Sequence, residues 1–348
     1  MNNCLSIKSW AAGLTAFVLV FMVGCGTTSD YKVFVPTADG MPLREMEITA
    51  PPNTGSGPES DLVALLPLNS EGDFIDTRIS MSPVNDELVF SMHTGHRAHM
   101  NVYTWRTETD NENGPVDVTR DIDRINVEPT FDPKGEFIYY SSNYPDARLW
   151  KLWRFDLVDN TRTQISDDGS TARVDTSPTL SPDGRRIAFA SYDRDGGQPR
   201  IIVADADGGN AQRKATGHSP SWSPNGRLIA YVATEAESGL DRIMVLDLES
   251  DTTSVLTRGS YHDRHPAWTP DGELIVFSTN RVVDEDGHRH FTIWQMDAQG
   301  RNARPLTFST YHDMRPVVSS DGETIYFVSN RGSVAGEEQI WRIWKTSR

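Results

Sequence analysis

The sequence predicts an all-β protein folded as a six-bladed β-propeller, with its ring closed by a strand from the N-terminal side. Three observations predict this fold class. A turn motif followed by an apolar run recurs six times along the 348 residues. Each recurrence brings enough chain for four short strands. The stretches between recurrences lack the apolar spacing of a helix.

The repeated turn motif marks the hairpin between the first two strands of each blade. Its clearest copies are Ser181-Pro-Asp-Gly184 and Ser223-Pro-Asn-Gly226. Proline sets φ for the first turn position, and Gly adopts the left-handed conformation that closes the turn. In the most divergent copy, Asn85 stands where the others have Gly, and Asn is the next-best tolerated residue at positive φ. The six copies begin at residues 82, 132, 181, 223, 269 and 319, and are therefore 42 to 50 residues apart.

The second and third strands of each unit are apolar at consecutive positions instead of alternating. Ile325-Tyr-Phe-Val328 is a second strand of this kind, and Arg242-Ile-Met-Val-Leu246 is a third. Such runs predict strands that are buried on both faces, as in sheets stacked face to face. A turn such as Asp207-Gly208 then leads to a short polar outer strand, which completes four strands per unit.

The closing strand is predicted from what the last unit lacks. Its third strand is Ile340-Trp-Arg-Ile-Trp344, and too few residues follow to form a fourth. The apolar segment Leu62-Val-Ala-Leu-Leu-Pro-Leu68 precedes the first unit and has no partner of its own. We expect it to serve as the outer strand of blade six, because this leaves no exposed edge at the seam. The propeller domain then spans 62–348.

The N-terminal segment predicts export from the cytoplasm. The apolar run from Trp10 to Gly24 would rise about 22 Å as a helix, short of a bilayer core of roughly 30 Å. Its end, Met22-Val-Gly-Cys25, resembles the lipobox of bacterial lipoproteins, which implies a signal peptide over 1–24 and lipidation of Cys25. By the same resemblance, Gly26 in the next position implies the outer membrane. Residues 25–61 are rich in Pro, Gly, Ser and Thr and predict a flexible tether. The alternative is a plain secretory peptide cut near Gly26.

The repeats also resemble a known family. Pro220-Ser-Trp-Ser-Pro-Asn-Gly226 and Pro266-Ala-Trp-Thr-Pro-Asp-Gly272 are similar to the WD40-like (PD40) repeats of TolB-type propellers. Ser278-Thr-Asn-Arg281 and Ser329-Asn-Arg-Gly332 match the segment that follows the second strand in that family. The resemblance implies a propeller that serves as a scaffold, as an enzyme or as the lid of one. TolB carries an α/β domain before its propeller, whereas about 36 residues follow Cys25 before the first apolar segment here.

Candidate ligand-binding residues lie on one face of the predicted propeller. Propeller connectivity places the repeated hairpin turns on the bottom face. It places the loops between blades, and those between second and third strands, on the top face. All nine His fall on the top face or its margin, and the densest segments are Tyr261-His-Asp-Arg-His265 and Tyr311-His-Asp-Met-Arg315. The candidates are His262, Asp263, His265, His312, Asp313, Arg315, His218, His93 and His96.

Two interpretations of these residues stay open. Asp, Arg and His around a channel mouth bind metals, glycans or peptide termini, and His262, His265 and His312 are the candidates if a metal is present. Alternatively, Asp and Arg side chains pair to tie neighbouring blades together, and their repetition in adjacent blades suits that role. No cofactor is assigned, although a divalent metal would fit the first interpretation.

Composition and motifs narrow the function classes. A net charge of -16 and a pI near 4.9 argue against a nucleic-acid partner. The sequence has no Gly-x-Ser-x-Gly elbow and no Cys after Cys25, so no catalytic residue is assigned. Together with the resemblances to the lipobox and to TolB-type propellers, these features predict a lipid-anchored protein on the periplasmic side of the envelope, whose propeller binds a protein or polysaccharide on its top face. One alternative is a metal-dependent carbohydrate-active enzyme, because oligogalacturonate lyases are propellers with a His-held metal. Another is a Tol-Pal-type component of translocation or envelope integrity.

Overall fold

The structure is a computed structural model. It describes residues 78–85, 87–93, 99–106, 115–121, 124–145, 150–167, 173–194, 196–283, 287–308, 311–331 and 341–348. It also gives the backbone of the short strands at 21–23, 30–35, 44–49, 63–64 and 74–75. Every regular element in these ranges is a β-strand.

Six antiparallel sheets form the blades, which confirms the predicted fold class. In each blade the strands are paired in the order of the chain from the innermost outward, and blade six takes its outer strand from the N-terminal side. The inner strand of blade one is interrupted, so this sheet has five strands.

Blade one comprises Phe74–Ile75 with Ser80–Met81, then Glu87–His93, Asn101–Arg106 and Val116–Asp117. Blade two comprises Asn126–Phe131, Phe137–Ser142, Lys151–Asp156 and Arg162–Gln164. Blade three comprises Arg173–Leu180, Arg186–Asp193, Arg200–Asp205 and Gln212–Thr216. Blade four comprises His218–Trp222, Leu228–Thr234, Asp241–Asp247 and Thr252–Val255. Blade five comprises Asp263–Trp268, Leu274–Val283, Arg289–Asp297 and Arg304–Pro305. Blade six comprises Asp313–Val318, Thr324–Ser329, Arg342–Ser347 and Val63–Ala64.

The hairpin turns use the residues that the repeat supplies. In blade four the hydroxyl of Ser223 accepts a hydrogen bond from the backbone N–H of Leu228 at 2.9 Å and donates one to Asn225 at 2.7 Å. Gly226 has φ +72°, the left-handed conformation that the turn requires. The Ser-Pro-Asn-Gly sequence therefore closes the turn through both its side chains and its backbone.

The hydrophobic core consists of six clusters, each lying between two adjacent blades. Consecutive residues of a second strand contribute to different clusters. Ile187 and Phe189 pack against blade two, whereas Ala188, which lies between them, packs against blade four. All three are buried. The consecutive apolar runs of the sequence are therefore strands covered on both faces, as predicted.

The ring is closed by the segment that the sequence predicts. Val63–Ala64 pairs antiparallel with Arg342–Ser347 of blade six, with Trp344 opposite Ala64 and Lys345 opposite Val63. The seam is also packed, because Tyr326 and Val328 of blade six share a cluster with the core residues of blade one.

Three further strands lie in the segment predicted as signal peptide and tether. Phe21–Val23, Asp30–Val35 and Arg44–Thr49 form an antiparallel sheet in which the middle strand pairs with both others. Among the described residues, no helix is long and apolar enough to span a membrane. The division of the chain at residues 24/25 and 61/62 stays a prediction.

Candidate functional site

The inner strands surround a common axis, since the inner strand of each blade contacts those of its two neighbours around the whole ring. At one equivalent position of each inner strand, a side chain lines a small cavity on this axis. We call these six residues the channel ring: Arg78, Glu128, Ser177, Ser219, His265 and Arg315. The cavity has a volume of about 20 Å³, enough for one water molecule.

A local distortion of the backbone produces this ring. In blades two to six the ring residue precedes a Pro and has φ between 50° and 57°. At the same place the pairing of the inner and second strands shifts register, as between Arg264 and Ala267 in blade five. Such a bulge redirects one side chain of a strand. Non-Gly residues in this conformation carry strain, and strained residues cluster at functional sites.

Glu128 is the acidic member of the channel ring and is held as a carboxylate. Arg315 lies 3.3 Å from one carboxylate oxygen, and the hydroxyls of Ser177 and Thr176 donate to the other, Thr176 at 2.7 Å. Burial by itself would raise the pKa of Glu128, but the charge of Arg315 and these hydrogen bonds outweigh it, so the pKa is lowered. Glu128 is therefore ionised at neutral pH.

Arg78 provides a buried donor that nothing in the described structure uses. Its Nη2 donates to the carbonyl of Pro220 at 3.4 Å, whereas its Nη1 is buried without a hydrogen-bond partner. Burial lowers the pKa of Arg78, and the charge of Glu128 opposes that shift. An unsatisfied buried N–H costs about 1–3 kcal/mol, so this site favours an acceptor oxygen.

His265 is the neutral member of the channel ring. Burial, reinforced by the charges of Arg315 and Arg264, lowers the pKa of His265 well below its usual value. Its Nδ1 lies 3.4 Å from the hydroxyl of Ser278. The same hydroxyl accepts the backbone N–H of Arg315 at 3.0 Å, which joins the two predicted site residues of blades five and six.

The predicted candidates His262 and His312 lie at blade junctions and make the same bonds. The backbone N–H of His262 donates to Asn280, and that of His312 to Asn330, both at 2.7 Å. The Nδ1 of His312 accepts the backbone N–H of Phe291 in the preceding blade at 3.3 Å. Burial and the nearby His290 lower the pKa of His312, which favours this neutral acceptor.

His262 repeats this contact one blade earlier. Its Nδ1 lies 3.3 Å from the backbone N–H of Asp241 and 3.1 Å from the carboxylate of the same residue. The ring accepts from the first group or donates to the second, according to its tautomer. Both His262 and His312 therefore join neighbouring blades.

Asp263 and Asp313 form buried ion pairs within their own blades. Asp263 lies 2.8 Å from Arg281, which is in the second strand of blade five, and Asp313 lies 2.7 Å from Arg331, which follows the second strand of blade six. Asp313 also accepts from Ser329 at 2.6 Å. For Asp263 and Asp313 the expectation that such pairs tie neighbouring blades together was wrong, because each pair lies within a single blade. Arg264 of the same segment does join two blades, since it lies 2.5 Å from Asp241 of blade four.

The other predicted candidates do not join the channel ring. His218 contacts Ser219 at 3.0 Å, and burial lowers its pKa against the opposing charge of Asp241. His93 ends the second strand of blade one, where the structure gives its backbone alone, and His96 and Cys25 lie outside the described residues. Within the described ranges, no three His, Cys, Asp or Glu side chains are grouped as metal ligands, so His262, His265 and His312 do not meet in one site.

Comparison with protein families agrees with this architecture. The sequence profile of the TolB beta propeller domain, PD40, matches residues 80–285 and 216–347. The chain belongs to this family.

Solved structures that share this fold include proteins described as TolB, as an oligogalacturonate lyase and as a gluconolactonase. TolB from Acinetobacter baumannii superposes with a TM-score of 0.54 at 15% identity, over 94% of this chain and 78% of that one. An oligogalacturonate lyase from Vibrio parahaemolyticus superposes with a TM-score of 0.54 at 12% identity, over 95% of this chain and 98% of that one. A gluconolactonase from Xanthomonas campestris superposes with a TM-score of 0.57 at 13% identity, over 82% of this chain and 89% of that one. At these identities the likeness concerns the fold.

The PD40 repeat itself carries the signal that sequence reasoning missed. His265 and Arg315 were among the predicted site residues, but Glu128, Ser177 and Ser219 were not. Each of these five is the residue before the Pro that opens the Pro-x-Trp-Ser-Pro-Asp-Gly pattern or its variants. Aligning the repeats on that Pro would have identified five of the six ring positions.

Proposed function

We propose that this TolB-like propeller is a binding scaffold of the bacterial cell envelope, anchored through lipid on Cys25, whose partner docks on the top face over the channel ring. The unpartnered Nη1 of Arg78 carries this proposal. A buried guanidinium that faces a cavity recognises an oxygen acceptor from a partner.

The charge of the ring suits an acidic or carbonyl group. Arg78 and Arg315 outnumber Glu128, and His265 is neutral, which leaves one positive charge in a protein of net charge -16. The cavity of about 20 Å³ admits a single oxygen and excludes a whole sugar ring. The body of the partner, a protein or a polysaccharide, would therefore rest on the surrounding top-face loops.

Binding is favoured over catalysis because the ring lacks a suitable proton acceptor. A general base works best with a pKa near the working pH. The pKa of Glu128 is lowered, so its carboxylate is a weak base. The pKa of His265 lies far lower than usual, and the hydroxyl of Ser177 already donates to Glu128. These groups hold charge and donate hydrogen bonds in a fixed arrangement.

Site-specific photocrosslinking in intact envelopes tests the proposal. A photoreactive amino acid at Ala236, in the exposed top-face loop of blade four, should give a discrete adduct with the partner. The matched position is Val158, which is 79% exposed in a turn of the bottom face and should give none. Adducts at Val158 without adducts at Ala236 would place the partner on the wrong face for this proposal.

Substitution of Arg78 tests whether the channel ring contributes to binding of the partner. Arg78→Gln should reduce the yield of the Ala236 adduct about tenfold, in line with the loss of a charge-assisted hydrogen bond. Arg227→Gln, at an exposed Arg in the bottom-face hairpin turn of blade four, is the control and should leave the yield unchanged. Mass spectrometry of the adduct would identify the partner, and a peptidoglycan-associated lipoprotein would support the Tol-Pal-type role.

A further inference from the structure

A second cavity lies away from the channel, along the side of blade three that faces blade two. We call it the interblade pocket. Its volume of about 300 Å³ is at the lower end of the range for small-molecule sites. It is lined by Ile165, Ser166, Asp167, Arg173, Asp175, Phe189, Ser191, Arg200, Ile202, Gly208, Ala211 and Arg213.

Three arginines from three strands of blade three converge on the interblade pocket. Arg173 comes from the inner strand, Arg200 from the third strand and Arg213 from the outer strand. Asp193 lies beside two of them, since it forms a bidentate pair with Arg200 and is 3.8 Å from Arg173. This carboxylate fixes both guanidinium groups in neighbouring positions before any ligand arrives.

The acidic residues of the interblade pocket do not cancel this charge. Asp175 is 5% exposed, accepts from Ser166 and Ser191, both at 2.7 Å, and has the buried Lys151 3.7 Å away. The three arginines and the two carboxylates that line the pocket, Asp167 and Asp175, sum to one positive charge. The neighbouring Lys151 and Asp193 have opposite charges and leave this sum unchanged. In a protein of net charge -16, a local positive cavity selects anions.

The floor of the interblade pocket determines the rest of the ligand. Ile165 and Phe189 are buried core residues, and Ile202 packs beside them. The hydroxyls of Ser166 and Ser191 already donate to Asp175, so the floor offers few hydrogen bonds to a sugar. The floor therefore suits an apolar body better than a polyhydroxylated one.

We propose that the interblade pocket binds a carboxylate attached to a compact apolar body, with Arg173, Arg200 and Arg213 around the carboxylate and Phe189 beneath the body. A free organic acid and the C-terminus of a polypeptide with an apolar last residue share this chemistry. The site does not use the channel ring, so it stands or falls independently of the proposed scaffold function.

Calorimetric titration of the full-length protein tests the interblade pocket. Phenylacetate should saturate the pocket at a concentration below about 10 mM. Its neutral isostere phenylacetamide should bind at least about tenfold more weakly. Glucuronate, which has the charge without the apolar body, should also bind more weakly than phenylacetate. Equal affinities for phenylacetate and phenylacetamide, or no saturation by phenylacetate, would overturn the proposal.

Variants locate the binding and protect the test against misfolding. Arg213 is exposed, so Arg213→Gln should fold normally and weaken phenylacetate binding about tenfold, whereas Arg227→Gln should not. Ala211→Trp, also at an exposed position, should fill the pocket and abolish binding. Unchanged affinity in both pocket variants would refute the assignment. N-acetylphenylalanine distinguishes the sources, since tighter binding than phenylacetate indicates a polypeptide C-terminus and weaker binding a free acid.

Discussion

The buried pair of Asp313 and Arg331 is the clearest test of a residue's structural role. Asp313 has no exposed side-chain area, and Arg331 is 12% exposed, so removal of the guanidinium leaves a buried carboxylate without its charge partner. We expect Arg331→Ala to lower the free energy of unfolding by about 3–5 kcal/mol. Urea unfolding at neutral pH measures this change.

The matched control for that pair is Arg301, which forms a 3.1 Å ion pair with Asp297 but is 70% exposed. Solvent screens this interaction, so Arg301→Ala should change the free energy of unfolding by less than about 1 kcal/mol. Equal effects of the two substitutions would show that burial does not govern the strength of these pairs.

His265 makes the stability of the fold depend on pH. Burial lowers the pKa of His265 in the folded protein, whereas in the unfolded chain it titrates near 6.5. The unfolded state therefore binds more protons below pH 6.5, and stability falls as the pH decreases from 7 to 5. Each such His contributes up to about 1.4 kcal/mol per pH unit in that window.

The substitution His265→Gln should reduce this slope, as measured by urea unfolding at pH 5, 6 and 7. His288→Gln, at an exposed side chain, is the matched control and should preserve the slope of the unmodified protein. A slope that is the same in all three proteins would contradict the assignment of a neutral, enclosed His265.

At the residue level, the sequence was informative where a repeat copies a structural role. The duplicated Tyr-His-Asp segments identify Asp263 and Asp313 as equivalent residues. The Arg residues that pair with them, Arg281 and Arg331, occupy equivalent positions in the Asn-Arg motif of the family. The pairing within a blade was missed because sequence spacing does not tell which of two nearby strands a side chain faces. Glu128 was missed because it stands out only when the repeats are aligned on the Pro that follows it, and its neighbouring residues form no motif of their own.

At the level of elements, the strands were predictable because their physical requirements are local. A strand covered on both faces needs consecutive apolar residues, and the five hairpin turns that contain Gly place it at positive φ. Asn85, which was expected to replace Gly in this role, does not have a positive φ. The bulges of the inner strands were not predictable from propensity, since Glu128 and Arg315 adopt φ values of 54° and 57° that non-Gly residues avoid. This conformation occurs where the pairing of the inner and second strands shifts register.

The closing strand gives a prediction about an element. A chain that starts at Ser60 keeps Val63–Ala64 and its pairing with Arg342–Ser347, whereas a chain that starts at Asn69 loses it. The shorter protein exposes the edge of blade six, so it should unfold at a lower temperature and associate through the free strand. Thermal unfolding and size-exclusion chromatography measure both effects. Identical behaviour of the two chains would mean that this strand does not hold the ring closed.

At the scale of the whole molecule, the six core clusters make the propeller a cyclic assembly. Each cluster lies between adjacent blades, so every blade is held by two neighbours, and blade one is held by blade six through Tyr326 and Val328. This arrangement holds in place the six inner strands that carry the channel ring. It explains why the fold can be inferred from the repeats while the function cannot, because the repeats encode the frame and propellers that share this frame serve different functions.

The proposed location of the whole protein rests on one residue, Cys25. If Cys25 carries the two acyl chains that its lipobox implies, the protein should sediment with membranes and stay there in high salt, because two chains give stable anchoring. Cys25→Ser should move it to the soluble periplasmic fraction without changing the unfolding temperature of the propeller. Cys4→Ser is the matched control, since Cys4 lies in the predicted signal peptide and should have no effect on fractionation. Retention of the Cys25→Ser protein in membranes would refute the lipid anchor.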